Sequence, residues 1–409
     1  MEDGINKLAR QNSHPTGIEI ELDFTNGHGL RIHTAAVIAM HGFLQHEISY
    51  HSMEFGTEGA NTPEQSLNAI FEQMSKLSKI LGEGEIMFPF GSLPNARSDE
   101  EQKMAITHLR NHPEEYYQYL LQNRDGSIVS EVLDVNGLQF HVGIPEEERF
   151  EILIQRFNVL RFLTPLFQGI SASSPIRNSQ YRGYSSEREI AKRSLLMGGI
   201  PDYLEDLDDL DFILNTRPSN HRESLSPGYY NLRYPRKDIN TTELCAMDMI
   251  PDKNLIVALL DLYHRICRKI DTVDYEMLPE NIFGDPTRLR MSHIIKHNLQ
   301  SVSSMQTPLR NTEIVLSKNS KISFVDWIKN IYAWIQDVPT EISNHDSFEI
   351  IMSLLEKGTH SEQLIEALHK DQTIPPYQFG EVQVYTQAQM NCIIALYNNH
   401  SQSNLFSQL

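Results

Sequence analysis

A chain of 409 residues, 40% hydrophobic, 22% charged and 9% aromatic, can hold two average domains or one large α/β unit, and its composition excludes a disordered chain. Its 54 acidic against 35 basic residues leave a formal net charge of −19; this argues against a general nucleic-acid binder, because phosphate recognition needs clustered Lys and Arg to displace counterions. The acid excess either serves solubility or, if gathered on one surface, binds cations.

Up to about residue 250, short alternating runs separated by Gly, Pro and Asn clusters and by helical stretches give an α+β pattern. In chain order the pattern predicts strands over 17–22, 52–55, 138–142, 232–234 and 242–247. Helices are predicted over 62–81, 146–163 and 186–196, and the acidic stretch 202–211 reads as a solvated amphipathic helix with Leu204, Leu207 and Leu210 at helical spacing. From Asn254 onward the apolar spacing is mostly helical, and the Asn-, Ser- and Gln-rich residues from Tyr397 read as a flexible tail. The expected organisation is one extended domain over 1–409, mostly helical over 254–396, with a flexible tail over 397–409.

Three cysteines at wide spacing, Cys245, Cys267 and Cys392, indicate neither a disulfide framework nor a CxxC metal knuckle and fit a reducing cytoplasm. The opening residues carry no apolar core of a signal peptide, and no run of about 18 apolar residues occurs, so no Sec signal or membrane span is expected. Non-classical secretion stays open beside a cytoplasmic location. HExxH, Walker A, GxGxxG and GxSxG are all absent, and His108 and His112, four apart, lack a third metal ligand.

Four segments carry candidate chemistry. In GIEIEL, alternation sends Glu19 and Glu21 to one strand face and Ile18, Ile20 and Leu22 to the other. In the segment from Glu47 to Phe55, the acids Glu47 and Glu54 differ in parity, so a bulge or bend must separate them if both serve one site. In GLQFHVG, Gln139 and His141 share a face, and in the last segment Glu243 and Cys245 do so, with Arg233 nearby to meet an anionic group. Read singly, each polar face is equally a solvated one, each histidine a structural one and Arg233 an ordinary ion-pair partner. Together, oxygen donors from several strands suit a hard divalent cation bridging ATP phosphates, with magnesium the natural choice.

The chain resembles the carboxylate–amine ligase family related to glutamate–cysteine ligase, known as glutamate–cysteine ligase type 2. The resemblance rests on GIEIEL at 17–22, the segment leading into EFGTE, GLQFHVGIP at 137–145, SASSP at 171–175, GYSSER at 183–188, LLMGGIPDYLEDLDDL at 195–210, and LRYP followed by TTELCAMD. It implies a glutamine synthetase-like architecture, an antiparallel sheet curved into a funnel with helices packed outside. It also implies ATP- and Mg2+-dependent amide formation through an acyl phosphate, commonly on the γ-carboxylate of glutamate. On that reading Glu19, Glu21, Glu47, Glu54, His141 and Glu243 bind metal. Gln139, Ser173, Ser174 and Arg233 meet the nucleotide, and Glu243, Arg233 and Arg188 act in catalysis.

The sequence departs from that family at one place: where members carry Glu-x-Arg, this chain has Glu243-Leu244-Cys245. Arg233, Arg236 or Arg188 can replace the missing charge; otherwise the substrate has changed, or the chain only binds ligand. The expected partners are small amino acid or amine substrates, without nucleic acid or membrane. A ligase that modifies a protein acceptor and a homo-oligomer are both compatible with the sequence.

Overall fold

The structure of the protein is a computed structural model. It describes residues 14–26, 45–46, 52–57, 62–79, 81–82, 85–95, 135–144, 151–194, 198–216, 229–235, 240–285, 289–343, 346–370, 383–384 and 386–401. The central sheet holds β1 (Thr16–Asn26), β2 (Gln45–His46), β3 (Ser52–Gly56), β4 (Glu85–Phe88), β5 (Gly137–Gly143), β6 (Leu232–Arg233) and β7 (Thr241–Asp248). Its order is β6-β7-β5-β1-β3-β2, with β4 paired to the end of β1, and every pairing is antiparallel. The five strands read from alternation are therefore all present, and they belong to one sheet.

The two-residue period of a strand sorts side chains onto two faces. Ile18, Ile20, Leu22, Met53, Phe55, Leu138, Phe140, Val142 and Leu244 are all fully buried on one of them. Helices cover that face. Helix α1 (Pro63–Ser78) starts where Thr62 caps the Gln65 amide and Pro63 fits the first turn, and it buries Leu67, Ile70, Phe71, Met74 and Leu77. Helix α2 (Glu151–Ser171) packs on β7. Helix α3 (Glu187–Ser194) follows the GYSSER segment, α4 (Leu207–Thr216) the acidic loop, and α5 (Lys253–Asp271), capped by Asp252, packs on α2.

The region after residue 254 is mostly helical. It contains α6 (Ser292–Val302), α7 (Phe324–Trp334), α8 (Ser347–Lys357), α9 (His360–Lys370) and α10 (Gln387–Ser401). It also contains an antiparallel hairpin, Glu313–Ser317 with Ser320–Ser323, that helical periodicity concealed. Alternation buries Ile314 and Leu316 there, beside a polar turn at Lys318 and Asn319.

Other boundaries shift for identifiable reasons. The second helix is predicted to end at 163, and Pro165, which cannot donate to the carbonyl four residues back, stands just beyond that end. The helix nevertheless runs to Ser171, since every residue from Arg156 to Ser171 is buried and packing outweighs the lost bond. The acidic helix begins at Leu207 rather than at 202, because the Asp206 carboxylate accepts from the Asp209 amide at 3.0 Å and so starts the helix there. Residues 397–401, expected to open a flexible tail, instead end α10, and Tyr397 is buried with its ring 5.2 Å from that of Phe88 and 4.5 Å from that of Phe90; the residues after Ser401 lie outside the described ones. β2 pairs antiparallel with β3, Gln45 opposite Glu54 and His46 opposite Met53; Glu47 is outside the described residues.

One buried carboxylate ties the polar loops to the sheet. Asp248 ends β7 with no exposed surface, and its Oδ2 accepts from the Ser173 amide at 3.0 Å and from Ser174 Oγ at 2.6 Å. Its Oδ1 accepts from Ser186 Oγ at 2.7 Å, and that hydroxyl accepts in turn from the Glu189 amide at 3.0 Å, capping α3. Burial pushes the Asp248 carboxyl above its usual range, against the pull of Arg188 and the hydroxyls. Asp248→Ala strands three donors at once, so a loss of about 3 kcal/mol or more is expected. Thermal unfolding checks it; an unchanged melting temperature would show that the network carries no stability.

Candidate active site

Residues directly opposite one another in an antiparallel sheet share a face. The register sets Arg233 opposite Glu243, Glu243 opposite His141, Gln139 opposite Glu19, and Glu21 opposite Glu54. Seven side chains from five strands thus stand on the polar face of one sheet. Cys245 joins them, with its thiol 3.3 Å from Gln139 Oε1 and 3.2 Å from Glu243 Oε1.

The register of β7 slips between Leu244 and Met247. This bulge lets Ala246 and Met247 both enter the core and returns Asp248 to the polar side, opposite Gly137. Gly137 is needed there. A β-carbon on it would overlap the Arg188 guanidinium and sit 2.8 Å from Glu21 Oε2.

Arg188 therefore lies flat over the strand, where it donates to the Cys245 carbonyl at 3.0 Å and stands 3.9 Å from Glu21 Oε2. Lys192, one helical turn later, donates to the same carbonyl at 2.8 Å and to that of Tyr230 at 3.2 Å. Burial, with Arg188 close by, draws its amine down to about 7. Ser173 and Ser174, expected beside a nucleotide, are fully buried. Ser173 Oγ donates to the Met249 carbonyl at 2.6 Å, and Ser174 Oγ serves Asp248.

The tightest cluster is Glu19, His141 and Glu243, whose ligand atoms all lie within 4.8 Å of one another. His141 Nε2 is 3.2 Å from Glu19 Oε1 and 4.0 Å from Glu243 Oε1, yet this buried nitrogen has no aligned hydrogen-bond partner. A divalent ion bonded at about 2.1 Å holds its ligand atoms roughly 3 to 4 Å apart, so the spacing and the two-carboxylate, one-imidazole donor set fit such an ion. Gln139 donates to Glu21 Oε1 at 2.6 Å, which fixes both beside the cluster.

Electrostatics follow the same pattern. Burial raises the Glu19 carboxyl, but the His141 ring and Arg233 outweigh it and bring the group down to about 2. Burial lowers the His141 imidazole, and Glu243 and Glu19 more than reverse that, so its proton is held above the usual histidine range. The Cys245 thiol is pushed well up, first by burial and then by Glu243, and stays neutral. Arg236, His108 and His112 lie outside the described residues.

The family model described as glutamate–cysteine ligase family 2 matches residues 16–371. A Nocardioides protein named "Putative glutamate–cysteine ligase 2-3" is 31% identical over 137 residues, 33% of this chain and 35% of that protein. A Solibacter usitatus protein, named as a type 2 enzyme in the same manner, is 20% identical over 351 residues, 83% of this chain and 85% of its own. A similarly named Chloroflexus aggregans protein is 20% identical over 61% of each chain, so two of these three matches span under two thirds of the relative. Among solved structures, glutamate–cysteine ligase of Francisella tularensis in complex with AMP superposes with a TM-score of 0.59 at 12% identity, covering 96% of this chain and 94% of that one. A bifunctional glutathione synthetase of Pasteurella multocida gives 0.59 at 13% identity, covering 98% and 54%. At such identities the shared feature is the fold.

A cation binds only neutral imidazole, so its affinity should follow the charge on His141. With metal absent, the NMR titration midpoint of His141 is expected above the ordinary histidine range, and Glu19→Gln lowers it. Affinity for Mn2+ should rise with pH until that proton is lost and then level off. A midpoint below the ordinary range, with Mn2+ binding indifferent to pH, would contradict the cluster.

Proposed function

Because the chain belongs to glutamate–cysteine ligase family 2, we propose that it is an ATP- and magnesium-dependent carboxylate–amine ligase that makes an amide through an acyl phosphate. Glutamate or another amino acid is the donor. The observation that carries this reading is the convergence of Glu19, His141 and Glu243 within 4.8 Å, with Arg233 beside them.

Joining two anions by phosphoryl transfer needs charge neutralisation and alignment more than covalent participation by the protein. Bound magnesium would neutralise the phosphates and align the transferred group. The chain's own residues supply the frame. Glu19, His141 and Glu243 hold a cation, and Glu21 and Glu54, with Glu47, are assigned to the rest of the metal shell. Gln139, fixed by Glu21, orients substrate.

Arg233 and Arg188 bring two guanidinium groups to the face where Cys245 replaces the expected arginine. This favours retained catalysis over silent binding. Ser173 and Ser174, buried beneath Asp248, are assigned to positioning Arg188 through the loop, since the Arg188 amide faces Ser174 Oγ at 3.4 Å.

ADP formation with Mg2+, ATP and a panel of amino acids and amines tests the reading. Glu243→Gln should lower turnover by at least about 100-fold, the usual cost of losing one electrostatic anchor at a developing charge. Turnover equal to the parent would remove Glu243 from the site. Nucleotide binding without ADP release on any combination would instead point to a silent binding protein, and turnover only with a protein acceptor to a protein-modifying ligase.

A further inference from the structure

Glu243 Oε1 is contested. It lies 2.5 Å from Arg233 Nη1, 3.2 Å from the Cys245 thiol and 4.0 Å from His141 Nε2. The oxygen that completes the cation triad is thus already engaged by a guanidinium, the closest charged partner that it has among the described residues.

Arginine and a divalent ion cannot share that atom comfortably. An ion bonded at about 2.1 Å to an oxygen that keeps its guanidinium nitrogen at 2.5 Å would stand less than about 5 Å from a positive charge. Glu243 is 5% exposed, so little water screens the repulsion. That repulsion favours the departure of one of the two cations.

Arg233 is built to be the one that moves. It sits on β6, a two-residue strand at the edge of the sheet, with 27% of its side chain exposed. Arg188, by contrast, is buried and pinned to the Cys245 carbonyl above Gly137. The Arg233 guanidinium is held mainly by Glu243, with Glu19 and Glu54 attracting it as well, and it makes no hydrogen bond to a backbone carbonyl like the one that anchors Arg188, among the described residues.

We infer that Arg233 is a place-holder cation: it neutralises Glu243 in the metal-free chain, yields that carboxylate to the divalent ion, and is thereby delivered to an oxyanion of the incoming substrate. The inference rests on the cation site of the ligase reading. It makes metal binding and anion recognition a coupled exchange, in which the guanidinium leaves one carboxylate and forms a forked contact with a phosphate or a substrate carboxylate. In the absence of metal, Glu243 occupies the donors that would otherwise bind an anion.

The test is equilibrium binding of Mn2+ alone, read from the electron paramagnetic resonance signal of the free ion, on the full chain without nucleotide. Removing a competing charge-assisted hydrogen bond should tighten Mn2+ binding to Arg233→Met by about tenfold or more. At saturating Mn2+ the same variant should bind either a non-hydrolysable ATP analogue or glutamate about tenfold more weakly. Weakening on the nucleotide identifies a phosphate as the oxyanion, and weakening on glutamate identifies a carboxylate. Opposite signs for metal and anion are what a merely structural arginine would not produce.

Arg233→Lys, which keeps the charge and the stem but loses the fork, should shift both affinities in the same directions by smaller factors, and it decides the matter if the Met variant does not fold. Mn2+ binding that is unchanged or weaker in a folded variant overturns the exchange and leaves the ligase reading standing. Unchanged binding of both anions overturns the delivery. No Mn2+ binding by the parent chain overturns the ligase reading itself, and the exchange with it.

Discussion

Carboxylates crowded on one face of a sheet repel one another, and that repulsion is the constraint on which the rest of the molecule depends. Two like charges 4 Å apart cost about 4 kcal/mol at the effective dielectric typical near a protein surface. An exposed ion pair returns at most about 1 kcal/mol. Solvated counter-charges would therefore not hold Glu19, Glu21, Glu54 and Glu243 together. Close, partly buried partners do: the His141 imidazole between Glu19 and Glu243, the Arg233 guanidinium on Glu243, and the Arg188 guanidinium near Glu21. The face is arranged for positive charge, and the protein's own side chains contribute to it.

The scaffold opposes the repulsion from the other side. Each acid on β1 alternates with an apolar neighbour, Ile18, Ile20 or Leu22, that is fully buried against the helices. Slipping the register by one residue would turn those apolar side chains out and the acids into the core, so the hydrophobic face fixes the polar one. Asp248 does the equivalent for the loops. By gathering the Ser173 amide and the Ser174 and Ser186 hydroxyls, it sets the start of α3, and α3 carries both Arg188 and Lys192 over β7. Packing, loop geometry and site charge are one connected system.

Much of this was legible in the sequence because a strand has a short period. GIEIEL and GLQFHVG each declare two faces within seven residues, and the opposed pairs Glu19 with Gln139 and Glu243 with His141 follow once the strands are neighbours. What escaped depends on events without a local signature. Strict alternation from Glu243 sends Asp248 into the core; only the bulge after Leu244 brings it to the polar side, and a bulge is decided by what the two flanking residues can pack against. The Ser-rich loop was visible as a candidate, but whether its hydroxyls face a ligand or a buried carboxylate is set by a residue some 75 positions away. Lys192 has no local signature either: it is buried because α3 lies against the Cys245 and Tyr230 carbonyls. Gly137 belongs to the GLQFHVG motif, but the reason for a glycine there is the Arg188 guanidinium lying across it, from a segment some fifty residues away.

The central claim is that these strands converge to hold a divalent ion, and direct location of that ion is its sharpest trial. Crystals of the chain grown with Mn2+ and a non-hydrolysable ATP analogue, with data collected at the manganese absorption edge, would show the metal by anomalous scattering. The account predicts a peak bonded to Glu19, His141 and Glu243 at about 2 Å, with the phosphates on its open side. A peak elsewhere on the chain, or none beside His141 with nucleotide bound, would contradict it.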